Sequence, residues 1–156
     1  MKFMKTKKIT GDEKSFKKSW KTREETYYNH WIKGKPQNQI QLAFRKHWEV
    51  FNLLMKNRLF NKRKRCLEIG CGRGTVSAYY SDKGYKCSLL DISPDVIDFA
   101  KKIFKKNKLK ANFIVGDANK MPYPENSFDI VFSLGLLEHF EDVETPIKEQ
   151  IRVLDK

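Results

Sequence analysis

The stretch Arg65-Cys66-Leu67-Glu68-Ile69-Gly70-Cys71-Gly72-Arg73-Gly74 decides the fold. A short apolar run closes in Gly-x-Gly-x-Gly and opens into a helical pattern, which reads as a strand, a tight turn and a helix N-terminus. Glycines admit close approaches and backbone conformations that a Cβ forbids, and the free amides at a helix start make a partly positive cradle for a ligand. The dinucleotide spacing G-x-G-x-x-G does not fit, because the third glycine comes one residue early, at Gly74, and Thr75 takes its place.

Downstream, apolar strands and helical patterns alternate. Arg65 to Ile69 is expected as strand one, Thr75 to Lys83 as its helix stopped by Gly84, and Lys86 to Asp91 as strand two. Ser93-Pro94-Asp95 starts a helix with a capping hydroxyl, proline at the first helical position and an acid in the first turn. Val96, Ile97, Ala100, Ile103 and Phe104 form its inward stripe, and Lys101, Lys102, Lys105 and Lys106 its solvated face. Ala111 to Val115 reads as strand three and Phe128 to Ser133 as strand four. Val143 to Leu154 reads as a helix with Val143, Ile147, Ile151 and Leu154 on one side. Such alternation implies an α/β fold, a parallel sheet with helices on both faces. Upstream, apolar residues at three- and four-residue spacing from Ile40 to Leu59 predict an amphipathic cap helix over 37–61, of about six turns, laid on the sheet.

Glu68 and the glycine turn, with Asp91 closing strand two, resemble motif I and its companion acid in the class I S-adenosylmethionine-dependent methyltransferases. The resemblance covers Arg65 to Leu154 and implies a Rossmann-like domain over 62–156 with S-adenosylmethionine as cofactor. It implies amides of Gly70, Cys71 and Gly72 at the methionyl part, Glu68 favouring its positive end, Asp91 on the ribose hydroxyls and Ile92 beside the adenine. Gly116-Asp117-Ala118 resembles the segment in which the acid meets the adenine amino group and the next amide a ring nitrogen. Glu125 to Val131 resembles the approach to strand four, and the Leu134 carbonyl past it is placed to reach the methionyl amine. Glu138-His139 resembles the Glu-His of the small-molecule branch. His139 is a candidate general base for a hydroxyl acceptor, against the favoured reading of a structural or capping histidine. Each acid has a structural alternative, with Glu68 capping a helix and Asp91 and Asp117 serving as turn acids.

In that family a turn and further strands follow the helix after strand four, so the chain is expected as the N-terminal half of the fold, with strand four an exposed apolar edge. Three readings follow: a fragment, one half of a split enzyme, or a domain completed by another copy or a partner chain. The leading functional reading is methyl transfer to a small-molecule or saccharide-like acceptor. A non-catalytic cofactor-binding subunit is the alternative. An RNA methyltransferase is a third, favoured by the charge distribution and disfavoured by the excess of lysine over arginine.

That charge is uneven. The 156 residues carry a net +13, yet residues 1–65 hold 19 Lys and Arg against 5 acids, and the remainder 13 against 14. Residues 1–36 read as a basic, aromatic-dotted arm, loosely held at its start, with Tyr27 to Ile32 expected as a lid over the cofactor pocket. Lys62-Arg63-Lys64-Arg65 reads as a solvated approach to strand one rather than an import signal. No apolar run is long enough to span a bilayer, and the lysine-rich start lacks the apolar segment of a secretory signal. Cys66, Cys71 and Cys87 read as small reduced core residues, which points to the cytoplasm and away from a metal site.

Overall fold

The structure, a computed structural model, describes residues 30–55 and 64–155. In chain order these form α1 (Gln39–Met55), β1 (Arg65–Ile69), α2 (Thr75–Asp82), β2 (Lys86–Asp91), α3 (Pro94–Lys106), β3 (Ala111–Val115), β4 (Ile130–Ser133), a single 3-10 turn (Leu137–His139) and α4 (Glu144–Val153). The strands are all parallel and lie in the order β3-β2-β1-β4. From β1 the chain steps outward through β2 to β3, then returns to the other side of β1 as β4. A parallel sheet of this kind opens a crevice where the direction of winding reverses, at the C-terminal ends of the strands. Here that point lies between β1 and β4.

Alternation along the strands divides the core in two. Cys66, Cys87, Leu89, Ile130 and Phe132 face α2 and α3, where Val76, Tyr80, Ile97, Ala100 and Phe104 meet them. Leu67, Ile69 and Leu90 face the opposite side, covered by Ala118, Met121, Phe128 and Val153. Both faces are therefore buried, as a parallel sheet requires. The three cysteines are free and buried, as small core residues should be.

The elements start and stop for local reasons. Ser93 Oγ accepts the Val96 amide, Pro94 opens α3, Asp95 sits in its first turn and Lys105 and Lys106 in its last. The serine and proline satisfy or dispense with free amides at the helix start, and the acid and two lysines sit at the favourable poles of the helix dipole. At α1 the Asn38 side chain accepts the Gln41 amide at 2.9 Å, so the helix begins at Gln39 rather than Gln37. Residues 56–61, the expected end of that helix, lie outside the described residues, as does most of the basic arm.

Three expectations change. The strand-four run begins at Ile130 rather than Phe128, because the backbone of Phe128 is paired with the chain after α4. Phe128 N–H donates to Val153 O at 3.0 Å, Asp155 N–H to Phe128 O at 2.7 Å, and Phe128 bridges Leu154 in parallel. On α4 the apolar stripe points away from the core: Val143, Ile147 and Ile151 are exposed, while Pro146 and Val153 are buried. On α1, Ile40 and Leu54 are exposed, and Phe44, Trp48 and Phe51 turn inward. They meet α2 more than the sheet: Trp48 stacks on Tyr79 with ring centroids 5.4 Å apart, and Phe51 reaches Phe132 of β4 at 5.8 Å.

Candidate functional site

The register fixes which side chains share the crevice. Ile69 lies opposite Leu90 on one side and Ser133 on the other, and Asp91 opposite Val115. Glu68, Asp91, Gly116 and Leu134 therefore all fall at or just beyond the same edge of the sheet. Gly116 N–H donates to Asp91 O at 2.9 Å, which ties the start of the Asp117 turn to the end of β2.

The glycine turn is shaped chiefly by its own packing. Gly70, Gly72 and Gly74 all have left-handed φ, of 62°, 51° and 65°. A Cβ on Gly74 would stand 2.3 Å from Leu89 Cδ2 and 2.9 Å from Phe104, and one on Gly70 would stand 2.8 Å from Leu136 Cδ1. Gly74 thus lets the start of α2 press onto β2 and α3, and Gly70 lets the loop after β4 close over the turn. The amides divide accordingly. Cys71 N–H donates to Leu90 O at 3.1 Å and Gly72 N–H to Asp91 Oδ2 at 3.3 Å. These two donors, expected at a ligand, are spent inside the fold. What the turn offers a ligand is the carboxylate that Gly72 helps to aim.

Asp91 is held by two amides, Gly72 on Oδ2 and Ser93 on Oδ1 at 3.0 Å. A carboxylate has about four acceptor sites, so lone pairs remain for two adjacent hydroxyls. Burial raises its pKa, and the amides of Ser93 and Gly72 oppose that shift. Beside it Ile92 is 59% exposed, an apolar edge at the mouth of the crevice.

Glu68 is almost fully buried, and its Oε2 accepts the Ser77 amide in the first turn of α2 at 3.0 Å. It does cap that helix. Burial pushes its carboxyl up to about 7, the Ser77 bond pulls it back, and the charge of Asp91 adds to the rise. Two acids of raised pKa in one crevice favour a cationic neighbour, since positive charge recovers what desolvation cost.

Asp117 is exposed, with Oδ1 accepting both the amide and the side-chain nitrogen of Asn119, at 2.8 and 3.0 Å. Its turn is set, and Oδ2 stands outside those bonds. Ala118 is buried against the lower core. Leu134, just past β4, packs on the upper core. His139 lies at the end of the 3-10 turn, half-buried, with its amide donating to Leu136 O, and Glu138 is exposed. Both sit on the β4 side of the crevice, away from the Asp91 and Asp117 side. Among the described residues no three metal-ligating side chains converge.

Of the expected lid, residues 27–29 lie outside the described residues. Trp31 is buried edge-on to Tyr79, and the Arg45 guanidinium binds the carbonyls of Ile32 and Gly34. Sequence reasoning did not single out a further pair near this site, Glu149 and Arg152 of α4. Both bind the backbone of the loop after Asp117, and the signal lay in the polar residues of a helix chosen for its apolar stripe.

The acceptor set suits a ligand with a vicinal diol, a cationic end and a flat ring carrying an amino group. Comparison with known proteins points the same way. The methyltransferase domain family matches residues 67–156. Ajmaline N-methyltransferase of Rauvolfia serpentina is 37% identical over 95 residues, covering 59% of this chain and 33% of its own length. The solved structure of the PH0226 protein from Pyrococcus horikoshii aligns with TM-score 0.63 at 31% identity, covering 85% of this chain and 61% of that one. A SAM-dependent methyltransferase from Aquifex aeolicus, at 20% identity and TM-score 0.57, covers 72% of this chain and 66% of that one and shares the fold. The chain spans about a third of the length of the first curated relatives it matches.

Proposed function

Because the chain belongs to the methyltransferase domain family, whose match takes in the glycine turn and all three acids, we propose that it binds S-adenosylmethionine in this crevice and passes the methyl group to a small-molecule acceptor. One observation carries the reading: Glu68, Asp91 and Asp117 follow one another at the C-terminal ends of three adjacent parallel strands, beside the β1–β4 reversal. Relatives named as N-methyltransferases of ajmaline and norajmaline and as O-methyltransferases of tocopherol and ubiquinone biosynthesis support a small-molecule acceptor and leave nitrogen and oxygen both open. A saccharide-like acceptor remains part of this proposal. The three free buried cysteines support a cytoplasmic location.

The bound cofactor supplies a methyl group already activated on a sulfonium. The residues present fit it by their chemistry. Asp91 would hold the ribose hydroxyls, Ile92 would lie beside the adenine and the Asp117 turn would meet its amino group. Glu68 and the Leu134 carbonyl favour the positive methionyl end. In-line displacement needs chiefly a held and aligned nucleophile, so positioning supplies most of the acceleration. On the β4 side, His139 would take the proton from a hydroxyl acceptor. An amine acceptor attacks only from its neutral form, so a proton leaves to solvent before binding and a second leaves the methylated ammonium afterwards, with no base needed during transfer.

The test is turnover with tritiated S-adenosylmethionine over paired amine and phenol acceptors, with His139→Ala beside the wild type. Methyl transfer that His139→Ala slows for phenols only supports both the activity and the base. Cofactor binding without transfer to any acceptor favours the non-catalytic reading.

A further inference from the structure

A second feature lies below the crevice, where α4 meets the loop between β3 and β4. Glu149 Oε2 accepts the Met121 amide at 2.8 Å. Arg152 donates from Nη1 to Tyr123 O at 2.7 Å and from Nη2 to Met121 O at 3.1 Å. The two side chains also bind each other, Nε to Oε1 at 2.7 Å and Nη2 to Oε2 at 2.8 Å. The pair therefore seizes three backbone groups of residues 121–123 at once. Their neighbour in the chain, Lys120, is joined to Asp117: Lys120 N–H donates to Asp117 O at 3.1 Å and the two form an antiparallel bridge. Met121 and Ala118 are buried together in the lower core. Only a planar guanidinium reaches two carbonyls and a carboxylate in one plane, and lysine would offer a point charge instead.

The loop runs from 116 to 129 without a helix, and the Glu149–Arg152 fork supplies bonds that a regular element would have made. We propose that Arg152 and Glu149 are positioning residues for nucleobase recognition: by fixing residues 121–123 they fix the Asp117 turn against the end of β2, and so set the cofactor's discrimination between a ring amino group and a ring carbonyl. The proposal rests on the cofactor reading above. An amino group at the purine 6-position donates to the Asp117 carboxylate, whereas a carbonyl there sets oxygen against oxygen. Sites that hydrogen-bond one group reject an analogue lacking it far more strongly than sites that merely enclose it. That rejection demands a carboxylate held in place.

The experiment compares affinities for S-adenosylhomocysteine and S-inosylhomocysteine by calorimetry in wild type, Arg152→Ala, Arg152→Lys and Glu149→Gln, with thermal melts of each free protein. Wild type should prefer the adenine ligand. Arg152→Ala should lose about tenfold in affinity for the adenine ligand, the scale of one net hydrogen bond, and much less for the inosine ligand, so that the preference collapses. Lysine should restore part of it. If Arg152→Ala does not fold, the Lys and Gln variants carry the comparison. Equal loss for both ligands, or no change in any folded variant, overturns the proposal. Absence of binding in the wild type overturns the cofactor reading instead.

Discussion

Burial pushes the Glu68 carboxyl up to about 7, well above an ordinary carboxylate. Between about pH 4.5 and 7 the folded protein holds this proton while the unfolded chain has released it, so the native state binds more protons. Stability then falls as pH rises through that window, and above it the whole contribution, about 3 kcal/mol, is lost. Glu68→Gln keeps an acceptor for the Ser77 amide and removes the titration. Urea denaturation at pH 5 and pH 8 should show the variant close to wild type at the lower pH and more stable at the higher; equal differences at both would contradict the assignment. At Gly74 any side chain needs a left-handed φ and collides with Leu89 and Phe104. Gly74→Ala should cost about 3 kcal/mol from backbone strain and overpacking together, read as a lower denaturation midpoint with unchanged slope. The need for glycine here was legible in the sequence. Its cause was not, because a glycine kept free for a ligand and one kept free for a leucine look alike until the neighbouring strand is placed. The same limit applies to the amides of Cys71 and Gly72, which the family resemblance directs at a ligand and which bond Leu90 O and Asp91 Oδ2 instead.

Elements were most legible where local signals and tertiary demand agree. The strands from Arg65, Lys86 and Ala111 and the cap at Ser93 fall where period and turn chemistry put them. Helices were read less well, since an apolar stripe shows that a face exists and leaves open what it meets. Val143, Ile147 and Ile151 form such a stripe and stay exposed, while the working face of α4 is the polar one carrying Glu149 and Arg152. Strand pairing likewise depends on residues far apart in sequence. Arg65 opens β1 from within the lysine-rich approach and pairs with Asp129: Nε with Oδ2 at 3.2 Å, Nη2 with Oδ1 at 3.0 Å, and its own amide with Oδ2 at 2.7 Å. The Asp129 side chain is only 1% exposed. Removing the guanidinium takes two charge-assisted hydrogen bonds from a buried carboxylate, so Arg65→Ala should cost about 3 kcal/mol. Guanidinium chloride unfolding checks it, and a change below about 1 kcal/mol, the scale of an exposed pair, would show that this contact does not tie β1 to β4.

Along the chain the site and the basic excess occupy different stretches of sequence. The acids that would meet a cofactor come from the near-neutral region after Arg65, while the basic excess lies before it. Among the described residues no helix is long and apolar enough to cross a membrane. The sheet order, the winding reversal beside β1 and the family match all centre on one claim, that the crevice at the strand ends holds the adenosyl cofactor with Asp91 on its ribose. Titration calorimetry of S-adenosylhomocysteine into the wild type and into Asp91→Ala tests it most directly. The account predicts saturable one-to-one binding to the wild type, weakened in the variant by about 1.5–3 kcal/mol, the range for a hydrogen bond to a charged group. Equal affinity in two equally well-folded proteins would contradict it and move the cofactor away from the end of β2.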